Sequence, residues 1–143
     1  MKRLLAVLPF LLPATAPACD ELVGVYGFQM VGAAMAEYFN IRKVENSYVV
    51  YANQGGKWEL TPNSFLYLPV EDPAWIGRVT VGATPVCAIE MISGSMFGVF
   101  RENAAGKLVY FTQVGETGKT ILLIKTRAGA EAELPPREIR MQD

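Results

Sequence analysis

From position 22 onward, apolar residues alternate with polar ones or gather in short runs, and clusters of Gly, Pro, Asn, Asp and Ser interrupt them at intervals of roughly ten residues. That rhythm predicts antiparallel strands rather than alternating strands and helices. Strands are expected at 22–28, 36–44, 48–52, 57–61, 65–69, 78–81, 86–92, 96–101, 108–114 and 120–127. Tight turns are expected at Glu45-Asn46-Ser47 and Asn53-Gln54-Gly55-Gly56, and polar, Gly-rich connections at 93–95, 102–107 and 115–119.

Two segments depart from the strand rhythm. Residues 71–75 open with two acids and Pro73, which suits a loop or a single helical turn. Residues 29–38 hold Met30, Ala33, Ala34 and Met35, so a short helix is as consistent there as a strand, although Gly32 costs about 1 kcal/mol in a helix. The expected fold is therefore all-β, an antiparallel meander of about 8–10 short strands. It hides its edges by closing into a barrel or stacking into a sandwich.

The first eighteen residues do not belong to this pattern. Lys2 and Arg3 precede a short apolar run, and Ala16-Pro17-Ala18 places small residues where a signal peptidase cuts. Pro9 and Pro13 break helix hydrogen bonding, and the run is far below the roughly 20 apolar residues a bilayer requires. Residues 1–18 thus read as a secretory signal peptide and residues 19–130 as one β-rich domain. Residues 131–143, with Pro135-Pro136 among Ala, Glu and Gly, read as a mobile C-terminal tail. No later run is long enough for a transmembrane span, and the expected location is periplasmic or secreted.

Loss of the leader moves the net charge from −1 to −3. The remaining Lys and Arg are scattered, which disfavours nucleic acid as a partner, since phosphate binding needs clustered cations. Export puts Cys19 and Cys87 where a disulfide persists, and closing that loop is worth roughly 4 kcal/mol. The competing reading is lipidation of Cys19 as the first mature residue, giving a membrane-tethered lipoprotein with Cys87 as a buried thiol. Pro17 and the lack of Leu at position 16 weigh against it.

Histidine is absent, which removes the commonest general base, Ser-His and Cys-His nucleophiles and most transition-metal sites. No catalytic residue, metal ligand or cofactor site is assigned. Glu90, among Cys87, Ala88, Ile89, Met91 and Ile92, is the one acid in an apolar setting, and strand alternation accounts for it as an outward side chain. The string Gly115-Glu116-Thr117-Gly118-Lys119-Thr120 lacks the spacing of a phosphate-binding loop and leads into a strand pattern, so it reads as a hairpin turn. Tyr48, Tyr51, Trp58, Phe65, Tyr67 and Trp75 either line an apolar pocket or fill the core, and core filling is the ordinary use of strand aromatics.

The loop Ser93, Gly94, Ser95 followed by Met96 and Phe97 fits a protruding partner-binding element, or else a plain hairpin with Phe97 in the core. With Leu108-Val109-Tyr110-Phe111 it resembles the Ser-Gly loop and aromatic strand of bacterial C-type lysozyme inhibitors. It departs from that pattern where Met96-Phe97 replaces a basic-aromatic pair and Gln113 stands in place of the inhibitory lysine. Leu22-Val23-Gly24-Val25-Tyr26 resembles the Gly-x-aromatic opening strand of lipocalin-like barrels. The function expected is an exported, non-enzymatic binding protein, an inhibitor or immunity protein that occludes an envelope-targeting toxin or lysozyme-like hydrolase. A lipocalin-like barrel for a small hydrophobic ligand and a structural subunit of an envelope assembly are the alternatives.

Overall fold

The computed structural model describes residues 18–28, 35–60, 66–115 and 118–139. Residues 1–17, where the leader is expected, and residues 29–34, 61–65, 116–117 and 140–143 lie outside the described residues. Among the described residues ten strands run in chain order: β1 (Gly24–Phe28), β2 (Met35–Val44), β3 (Ser47–Gln54), β4 (Lys57–Leu60), β5 (Leu68–Pro69), β6 (Ala83–Glu90), β7 (Met96–Glu102), β8 (Leu108–Gln113), β9 (Thr120–Arg127) and β10 (Glu138–Ile139). Every pairing is antiparallel, in the order β4-β3-β2-β1-β9-β8-β7-β6-β5, with β10 alongside β2. The all-β expectation holds. Among the described residues no helix is long and apolar enough to cross a membrane.

The sheet curls until its ends meet. Tyr48 in β3 and Tyr67, just before β5, exchange both backbone hydrogen bonds at 2.9 Å. β4 and Tyr67 lie along the same edge of β3, the one opposite β2, and β5 continues onto β6. The pairing circuit is thereby complete, the solution for hiding edges that a barrel offers.

Side chains from both halves fill the concave interior. Cys19, Leu22, Tyr26, Ile41, Tyr48, Ile89, Phe97, Val99 and Leu123 form one buried cluster. A second cluster of Trp75, Ala88, Met96, Phe100 and Phe111 lies on the other face of β6–β8. Strand alternation in β7 feeds both: Phe97 and Val99 point inward, and Met96 and Phe100 point outward. Gly98 lies beneath Phe111, where a Cβ would fall 2.6 Å from the ring's Cζ.

The outer cluster is roofed by a 3-10 segment, Pro73–Arg78. Asp72 caps it by accepting from the Ala74 amide at 2.9 Å, and Pro73 opens it. A turn at 71–75 was expected, but a strand at 78–81 was too, and that is corrected. The Val79 and Thr80 amides both donate to the Ile76 carbonyl at 3.0 Å, so they are not available to a sheet.

Two further expectations change. Met35 to Tyr38 belong to β2 rather than to a helix: Ala36 pairs with Phe28 on one side and Glu138 on the other, and the Glu37 amide donates to Arg137. Local helix propensity yields there to pairing on both edges. Residues 131–139, assigned to a mobile tail, form the end of a 3-10 turn (Gly129–Glu133) and β10, folded back over β1 and β2 with Ala132 buried. What holds them is a buried charge. The Glu37 carboxylate receives Arg127 in bidentate fashion (Nη2 to Oε1 2.9 Å, Nε to Oε2 3.0 Å), the Thr126 hydroxyl and the Arg137 amide. Arg127 in turn donates to the Glu131, Leu134 and Pro135 carbonyls. Register shifts at Tyr26/Gly27 and Val25/Tyr26 insert Tyr38 and Thr126 as extra residues in their strands, and such bulges re-aim their neighbours, here Glu37 and Arg127, toward one spot.

Candidate functional site

The two cysteines meet. Cys19 and Cys87 are disulfide-bonded, with Cα atoms 5.5 Å apart, and Cys19 is fully buried. Its amide donates to the Tyr48 hydroxyl at 2.7 Å, and that hydroxyl donates to Asp20 Oδ1 at 3.2 Å. Lys43 lies 2.8 Å from the same oxygen and holds the Asp20 carboxyl below its ordinary range, while burial chiefly pushes the Tyr48 hydroxyl up. The N-terminal segment is thus pinned to β3 and β6 together.

The loop 91–95 is a compact turn: the Met91 amide donates to the Ser95 carbonyl and the Gly94 amide to Met91. Ser95 Oγ accepts from the Gly115 amide at 3.2 Å, tying the loop to the end of β8. Of the five residues expected to contact a partner, Ser93 is exposed, Ser95 half-buried and Gly94 buried. Met96 is corrected as a contact residue, and Phe97 follows the alternative reading, a hairpin with its ring in the core. Met96 is fully buried in the outer cluster, and Phe97 packs inside the barrel against Phe39 and Tyr67. Gln113 is also buried, with its Nε2 donating to Gly118, so it cannot reach a partner.

The exposed apolar side chain of this region is the preceding residue, Ile92, 94 % exposed. It lines a groove of about 510 Å³ with Leu66, Leu68, Pro69, Val70, Glu90 and Met91. The groove follows from the local chain: β5 is only two residues long, and Leu68 pairs with Glu90, which puts both side chains on one face at the margin of the sheet. Leu66 and Leu68 stay more than half exposed. Glu90 is half-buried, and among the described residues its carboxylate makes no hydrogen bond or ion pair.

A second groove, about 550 Å³, lies between residues 79–83 and the β7–β8 turn, with Val81 and Leu122 exposed. Among the described residues, Tyr48, Tyr51, Trp58, Tyr67 and Trp75 do not assemble into one pocket. Tyr48 and Tyr67 join the inner core and Trp75 the outer one, Arg42 lies over the Tyr51 ring, and Trp58 donates to the Leu134 carbonyl. The Glu37–Arg127 cluster, absent from the sequence reading, is a lock on the C-terminal segment. Its partners lie 90 positions apart, and no local pattern marks them.

No family model matches the chain, and neither a curated protein nor a solved structure matches it.

Proposed function

We propose that this chain is an exported, non-enzymatic binding protein that acts by occlusion, seating on an envelope-targeting toxin or a lysozyme-like hydrolase and blocking it as an inhibitor or immunity protein does. One observation carries the reading. The barrel interior is occupied by its own side chains, while apolar surface gathers outside at Leu66, Leu68 and Ile92, so the working surface is external. A carrier of small hydrophobic ligands needs the interior that Tyr26, Tyr48 and Phe97 fill.

Support for export comes from the leader-like segment and from the cysteine pair, which suits an oxidising compartment. Lipidation at Cys19 has to give up both its sulfur partner and its buried site. An acidic surface favours fast association with basic cell-wall hydrolases.

The test is inhibition of a panel of purified peptidoglycan hydrolases by the oxidised protein, with size-exclusion chromatography of the mixtures. Stoichiometric inhibition with a one-to-one complex supports occlusion. Neither inhibition nor complex across the panel, together with saturable binding of a lipophilic fluorophore, replaces it with the carrier function.

A further inference from the structure

We infer that the groove between β5 and the 91–95 loop receives an apolar segment of the partner protein that carries one Lys or Arg, whose cation settles against Glu90; this rests on the occlusion reading above. The groove's other six lining residues are apolar, and none supplies a positive charge. The Glu90 carboxylate, partly exposed in that apolar lining, has no cation or hydrogen-bond donor beside it among the described residues, so the charge complement of the groove has to come from the occupant. Glu71 and Asp72, both exposed, follow Val70 directly and add to the negative field at one end.

The side chains around Glu90 have the form of an anchor site. Ile92 stands almost free of the protein, and Leu66 and Leu68 are 53 % and 57 % exposed on the opposite wall. Their burial by a partner removes apolar surface from water, which favours the complex. The apolar walls give affinity without selecting much, and the single carboxylate selects the cation and sets its position. A hydrogen-bonded ion pair shielded by aliphatic side chains is the kind of contact whose loss is felt in dissociation rate.

The experiment selects displayed random peptides on the oxidised protein, with counter-selection on a Glu90→Lys, Ile92→Asp double variant, and measures recovered peptides by fluorescence anisotropy. The expected peptides carry Lys or Arg flanked by apolar residues. Glu90→Gln weakens them roughly tenfold or more, Leu68→Asp and Ile92→Asp do likewise, and Val81→Asp in the other groove leaves them unchanged. Exchanging the peptide's basic residue for Glu restores binding to Glu90→Lys. Failure to recover peptides, peptides without a basic residue, indifference to Glu90→Gln, or a concentration-dependent dimer formed through Ile92 each overturns the assignment. The hydrolase panel separates the two claims. Inhibition retained by Glu90→Lys removes the groove and leaves occlusion standing, whereas groove-specific peptides with no hydrolase inhibited remove occlusion alone.

Discussion

Glu37 and Arg127 face each other in a doubly hydrogen-bonded ion pair that is almost entirely shielded from water, with side-chain exposures of 0 % and 2 %. Such a pair is conditional. Intact, its attraction and hydrogen bonds offset desolvation; broken, it leaves a bare carboxylate inside the protein. Arg127→Ala is therefore expected to lower stability by about 3–5 kcal/mol in urea denaturation, and to free residues 129–139 to early proteolysis. Arg127→Met with Glu37→Leu is expected to recover most of the loss, which a purely steric role for Arg127 does not give.

Gly98→Ala is expected to destabilise by about 1–3 kcal/mol. The added methyl meets Phe111 at 2.6 Å and Ala88 at 3.2 Å, and the Phe111 ring is held between Trp75 and Phe100 and has nowhere to move. Combining it with Phe111→Leu is expected to cost less than the two changes summed, which a double-mutant cycle measures.

The strand at 120–127 is legible to the residue, since Thr, Ile, Leu and Val-type positions begin and end at Gly-containing turns. The segment 78–81 is not, because Asp72 and Pro73 start a turn whose hydrogen bonds run on past the apolar Val79. Met96 and Phe97 look like a contact pair only if β7 has one buried face. A remote segment, 73–78, covers the second face, and nothing near position 96 announces it. The groove was half visible: Leu66, Leu68 and Pro69 and the pair Met91-Ile92 are apolar, but their meeting depends on barrel closure.

Removal of the Cys19–Cys87 disulfide by the double Ser variant is expected to cost roughly 4 kcal/mol, from the loop it closes across a sequence separation of 68. Chemical denaturation with and without reductant measures it, and the intact mass of the purified protein shows two hydrogens fewer than the reduced chain. A mass increased by acyl chains removes the disulfide reading.

Above pH 10 the protein is expected to unfold. Burial raises the Tyr26, Tyr48 and Tyr67 hydroxyls above their ordinary value of 10.0. Groups raised in the folded state contribute stability below the unfolded value and lose it as pH climbs toward the folded one. Tyrosinate absorbance for these residues is expected to appear together with loss of circular dichroism. A tyrosinate titration complete before unfolding counts against their burial.

The disulfide also sets where mechanical load travels. A pull on the backbone at Cys19 enters β6 directly through Cys87 and reaches Glu90 a few residues along that strand, bypassing the hairpins built from residues 20–86. Tension between Cys19 and anything gripping Ile92 would thus be carried by one covalent link and one short stretch of strand. The rest of the barrel would hang slack beside that line, free to keep its shape while the attachment bears the strain.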